Sequence, residues 1–119
     1  GELLAKLVYR KRTVNDEPAY SSLEELRTII DKLDEHILET IAERMTYAEK
    51  IGLFKKENEI AIYQPERWND IVNRVKFLAS EKNISEDIAL KIFDYIHKES
   101  IRKQSNVMYG KNEETTNLK

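Results

Sequence analysis

Arg44 and Lys55 stand where a helical repeat calls for apolar side chains. From Ser22 to Lys56 one apolar stripe runs through Leu23, Leu26, Ile30, Leu33, Ile37, Ile41, Ala48 and Ile51, and both cations fall inside it. A guanidinium or ammonium on a core-facing position is costly unless an anion meets it. The pattern therefore predicts a long helix lining a pocket for something negatively charged. Arg44 and Lys55 are eleven residues apart, which places them on nearly the same face and roughly 16 Å apart along the axis. Two long side chains leaning toward each other could hold one small anion between them.

Arg27 lies seventeen residues before Arg44, roughly 25 Å away and about 100° off that face. It cannot reach the same small ligand within one chain. A second copy of the helix running antiparallel, as in a two-fold dimer, would bring it there. Arg67, in the first turn of a second helix, adds a cation, and Gln104 is a neutral polar residue beside Ile101 late in a third. Each also has a plain reading. Arg27 could pair with Asp31 at i+4, Lys55 could snorkel from a helix end, Arg67 could pair with Glu66 or Asp70, and Gln104 alone carries no chemistry. Arg44 in mid-stripe is the exception. Trp68, Phe77 and Phe93 read as core, and His36 and His97 as surface or core residues without chemistry.

Three helices must position these groups. The first is expected from Ser21 or Ser22, with Glu24 and Glu25 completing a capping box, to about Phe54. It is too long to stand without partners along its length, which suggests a dimer or a bundle. Residues 57–63 read as a connector, and Pro65 fits the first turn of the second helix, which fades near Glu81-Lys82-Asn83. Ser85 is the expected cap of the third, with Glu86 and Asp87 complementing its dipole, and its end is expected near Gln104. The fold class is all-α, and no strand is predicted. Residues 1–20 read as an extension or linker, in which Leu3, Leu4, Leu7 and Val8 could form a short amphipathic helix. Residues 21–105 form the helical domain, and 106–119 a polar tail.

Composition narrows the chemistry. The 119 residues suit one domain with a modest core. Twenty Lys and Arg against 22 Asp and Glu give a net charge of −2, which argues against nucleic acid or an anionic membrane as the main partner. Without cysteine there is no disulfide, thiol nucleophile or thiolate metal site. The histidines lie on separate segments with no matching acidic cluster, so no metal is expected. No apolar run approaches a membrane span, and the short apolar run after Gly1 is no convincing signal peptide. A cytoplasmic location is the default expectation, with the start at Gly1 rather than Met reading as a cut or processed terminus.

Taken together, these positions resemble the all-α class of chorismate mutases over about Ser22 to Gln104. The resemblance rests on Leu26-Arg27, Leu33-Asp34, Ala42-Glu43-Arg44, Lys55, Ile62-Tyr63-Gln64-Pro65-Glu66-Arg67, Ser100 and Gln104 in order. It implies three helices per chain intertwined as a homodimer, a chorismate-like dicarboxylate substrate and no cofactor. It further implies that Arg44, Arg67 and the partner's Arg27 clamp carboxylates, that Lys55 and Gln104 donate to the ether oxygen, and that Ser100 and Gln64 bind substrate. Two positions depart from the pattern. The family usually has Asp at Gln64 and Glu at Trp68, acids that lie near the substrate's C4 hydroxyl. Isochorismate-pyruvate lyases of the same fold also lack that Glu, and mutases of amino-substituted chorismate are a further possibility. A non-catalytic helical dimer is the reading from another class.

Overall fold

The computed structural model describes the backbone of residues 16–110 and side chains from Ser22 onward. The expected short helix near residues 3–8, the linker before residue 16 and the tail beyond residue 110 lie outside the described residues. Three helices follow in order: α1 (Asp16–Glu57), α2 (Pro65–Glu81) and α3 (Glu86–Tyr109). Among the described residues there is no strand, and no helix is long and apolar enough to cross a membrane. The all-α expectation holds.

The helix boundaries differ from expectation at two ends. α1 begins at Asp16, not at Ser21 or Ser22. Pro18 falls in its first turn, where a missing N–H breaks no intrahelical bond, so nothing forces the helix to wait for a serine. Ser22 Oγ is buried without a hydrogen-bond partner and makes no cap. α3 continues past Gln104 to Tyr109, where Gly110 in the left-handed conformation (φ 64°) returns its N–H to Asn106 O. The polarity of Ser105 and Asn106 says nothing against a helix that already carries them along a half-buried face.

The remaining signals act as expected. α1 ends on Lys55 and Lys56, cations suited to the negative end of the helix dipole. The connector leaves it through bonds from Asn58 N to Phe54 O (3.0 Å) and Ile60 N to Lys55 O (2.8 Å). Gln64 is the N-cap of α2 but offers no side-chain cap, and Pro65 follows at the first helical position. Ser85 caps α3 by accepting from Ile88 N at 3.3 Å.

The chain divides into two compact units, residues 1–40 and residues 41–119. The described part of the first is helix only. Its apolar stripe is open: Ile30, Leu33, Ile37 and Leu38 are each more than half exposed. The second unit holds the core, built by Ile71, Val75, Ala79 and Ala89 with Trp68, Leu90 and Phe93 packed against them. Met45 and Ala48 are also buried there. Trp68 and Phe93 are thus core residues, as read from sequence, whereas Phe77 is exposed. It sits on the far side of α2 from Ile71 and Val75, six and two residues away, outside the three- and four-residue spacing of one helix face.

Candidate active site

A cavity of about 360 Å³ lies within the second unit. Arg44, Ala48, Ile51 and Lys55 reach it from α1, Arg67 and Ile71 from α2, and His97, Ser100 and Gln104 from α3, with Ile62 and Gln64 from the connector. Of the seven site residues picked from sequence, six line this one cavity. Arg27 is the seventh. It is not among the lining residues, and its guanidinium lies on an exposed surface 3.7 Å from Glu24. The i−3 acid is its partner, not the Asp31 named from spacing.

The stripe cations are held from α3. Arg44 Nη1 donates to Ser100 Oγ at 2.5 Å, and Ser100 Oγ contacts Met45 Sδ at 3.8 Å. Lys55 Nζ donates to Gln104 Oε1 at 2.9 Å and to Ile62 O at 2.6 Å. An ammonium can only donate, so the oxygen of Gln104 faces Lys55 and the amide NH₂ is left as a donor. Ser100 and Gln104 are themselves buried. The pairing works because Ser100 and Gln104 sit four apart on α3, on one face.

Gly52 is what lets the two helices meet here. A Cβ at this position would lie 2.8 Å from Gln104 Cα and 3.0 Å from Gln104 O. A glycine inside a helix costs about 1 kcal/mol relative to alanine, and the return is a backbone approach close enough for Lys55 to reach Gln104. In the sequence Gly52 is only a glycine late in a long helical stretch. Its place one turn before Lys55 and on the side facing α3 was not visible without the packing.

Among the described residues no ion pair neutralises Arg44, Lys55 or Arg67. Burial lowers the Arg44 pKa, and the charges of Arg67 and Arg74 lower it further. An arginine remains charged despite such a shift, so an incoming anion is what relieves the repulsion. Burial also holds Lys55 below the usual lysine range. The arrangement can bind a compact dianion between cations of α1 and α2 and present a neutral amide donor to an oxygen lying between the carboxylates.

His97 also lines the cavity, a place that its reading as a surface or core residue did not give it. It stacks on Trp68 with ring centroids 4.8 Å apart. Burial lowers its pKa first, and Arg44 and Arg67 lower it further. A signal was present in the sequence: His97 precedes Ser100 by three residues and Gln104 by seven, the spacing of a single helix face. Tyr47, three residues after Arg44, joins the wall for the same reason.

Residues 26–105 match the family described as chorismate mutase type II. A chorismate mutase of Methanocaldococcus jannaschii is 38% identical over 84 residues, covering 69% of this chain and 85% of that protein. A bifunctional chorismate mutase/prephenate dehydratase of Buchnera aphidicola is 31% identical over 91 residues, 76% of this chain but 24% of that longer protein. A 4-amino-4-deoxychorismate mutase of Streptomyces venezuelae is 26% identical over 88 residues, 74% of this chain and 85% of that one. The family match takes in every helix that lines the cavity, and the chain belongs to the chorismate mutase type II family.

Proposed function

We propose that this chain is a chorismate mutase, converting chorismate to prephenate. The observation that carries the reading is the set of uncompensated cations, Arg44, Lys55 and Arg67, around one cavity with Gln104 oriented by Lys55. In the rearrangement the ether C–O bond breaks as a C–C bond forms, within one cycle of electrons. No proton leaves and no group departs. The protein's task is to hold the compact conformer and to stabilise charge growing on the ether oxygen.

Arg44 and Arg67 take the carboxylates through charge-assisted bonds. Lys55 and the Gln104 amide donate to the ether oxygen, and a neutral amide does so without prior protonation. Ser100 holds the Arg44 guanidinium in place, and Gln64 faces the substrate's ring. The absence of an acid at Gln64 and Trp68 leaves room for isochorismate or an amino-substituted ring as the runner-up substrate.

The working unit is a homodimer. The exposed Ile30, Leu33, Ile37 and Leu38 form an apolar face that a second copy of α1 would cover, and a two-fold arrangement would carry Arg27 into the partner's cavity. The deciding experiment incubates the purified protein with chorismate and, separately, with isochorismate, and identifies the products. Prephenate from chorismate is expected. Salicylate from isochorismate with chorismate untouched overturns the reading. Absence of turnover and of thermal stabilisation by either dicarboxylate would favour a non-catalytic dimer.

A further inference from the structure

The polar groups of the cavity are unevenly divided between donors and acceptors. Arg44, Lys55 and Arg67 can only donate. Gln104 has its oxygen engaged by Lys55 and keeps its amide N–H groups for a ligand, whereas Ser100 accepts from Arg44 and donates toward Met45 Sδ, so that, apart from the exposed Gln64 and Tyr47, the lining described so far offers a ligand chiefly donors. That suits carboxylates and an ether oxygen, which only accept. It does not suit a ring hydroxyl, whose proton needs an acceptor once it leaves water.

His97 answers that need. Its ring lines the cavity, and since its Nε2 is buried without a hydrogen-bond partner, the less shielded Nδ1 is the nitrogen a ligand can reach. The Trp68 indole, packed on the core, stacks behind it and fixes the plane of the ring, while Tyr63 lies tilted at 6.4 Å. The charges facing it are Arg44 and Lys55 from α1 and Arg67 from α2, with Asp94 on its own helix. Burial first, and then three cations against one carboxylate, lower its pKa and favour the neutral imidazole, the form that has an accepting nitrogen.

We propose that His97 is a substrate-binding residue that accepts the hydrogen bond of the ring hydroxyl, with Trp68 as the positioning residue behind it. The inference rests on the chorismate reading. The ring takes the acceptor role that an acid would fill, without adding a negative charge beside the carboxylates of the ligand.

The test compares wild type with His97→Phe, which keeps a stacking ring and removes both nitrogens, and His97→Gln, which keeps an acceptor. Steady-state kinetics are run on chorismate and on an analogue whose ring hydroxyl is replaced by hydrogen. On chorismate, His97→Phe is expected to lower kcat/KM about tenfold or more, with His97→Gln recovering part of the loss. On the analogue the difference between wild type and His97→Phe is expected to shrink to within about twofold. Melting temperatures separate binding from folding, since removing an unpartnered buried nitrogen should leave Tm unchanged or raised. Equal kcat/KM for wild type and His97→Phe on chorismate, or an equal loss on both substrates, overturns the proposal. Wild type inactive on chorismate overturns the underlying reading instead, a result distinct from either.

Discussion

One helix, α1, carries one apolar stripe with two fates. In residues 22–40 the stripe is open, with Ile30, Leu33 and Ile37 each more than half exposed. In residues 41–57 Met45, Ala48 and Gly52 are buried, and the stripe's two cations are tied to α3. The amino-acid pattern hardly changes between the halves, but what each half meets does. The first half has an apolar face whose complement is not within its own unit. The second half has its complement in α2 and α3, and pays for the Arg44 and Lys55 charges only when an anion arrives. A stripe of hydrophobic residues thus says where a helix will be covered, and an interruption by cations says where it will be covered by something charged.

The sharpest way to break this contrast is Arg44→Ala. If the second half is built around a dicarboxylate, kcat/KM falls by about 10³-fold or more, roughly 4 kcal/mol of transition-state stabilisation. The fold should not suffer, because a half-buried guanidinium without a carboxylate partner is removed. Steady-state kinetics and a melting curve on the same preparation check both halves of the expectation. Activity intact with Tm lowered would make Arg44 a structural residue and dissolve the distinction.

The complementary change is Ile30→Asp combined with Ile37→Asp in the open half. Both side chains already face solvent in the single chain, so a lone chain should keep its fold. A face buried in a dimer should instead reject two carboxylates, each displacing an apolar side chain whose burial contributes about 1.5–3 kcal/mol. The expected outcome is a monomer by analytical ultracentrifugation, with helical content retained and activity lost because Arg27 no longer reaches a partner's cavity. A dimer that survives both substitutions would show that the open stripe is covered elsewhere or not at all.

The contrast also explains what could be read from residue order. The helices were legible because Pro65, Ser85 and the heptad-like spacing of Leu26, Ile30, Leu33 and Ile37 each act locally. The cavity was legible at Arg44 and Lys55 because cations on an apolar stripe break a rule whose energetic cost is large, whereas Gln104 came only with the family resemblance. The start of α1 at Asp16 was not, because Pro18 is compatible with a first turn as well as with a linker, and nearby serines offered a plausible cap that the structure does not use. The place of His97 in the cavity wall was not legible for another reason. A lone histidine on an apolar helix face has many explanations, and only the distance to Trp68 and the shared cavity with Ser100 and Gln104 select one. Gly52 needed the packing itself, since a glycine's role in close approach is set by the backbone opposite it.

Gly52→Ala tests that last point within the covered half. The added Cβ would meet backbone atoms of Gln104, which cannot swing aside as a side-chain tip would. α1 and α3 must part by a few tenths of an ångström, at a cost of about 1–3 kcal/mol, against a helix-propensity gain of about 1 kcal/mol. A modest fall in Tm is expected, together with a fall in kcat larger than the change in KM, because in the proposed site Gln104 would be displaced from the ether oxygen more than the carboxylates would be from Arg44. Unchanged kcat with a raised Tm would mean that the close approach has no bearing on the chemistry.

The smallest effect expected is a pH dependence, and it isolates Lys55 from its neighbours. Burial depresses the Lys55 pKa, and the ammonium must be protonated to hold Gln104 Oε1 and to donate toward an oxygen of the substrate. As pH rises through that depressed pKa the donor is lost, so kcat/KM should decline on the alkaline side before free lysine would titrate. The kcat profile should decline later, because a bound dianion raises the pKa of an ammonium beside it. Lys55→Arg carries a charge that does not titrate in this range. Whatever activity it retains should lose the alkaline limb altogether, even though the longer, planar group fits Gln104 less well. A limb that persists unchanged in Lys55→Arg would assign it to another group, and the cation at the end of the stripe would then act through its charge alone rather than through a titrating hydrogen bond.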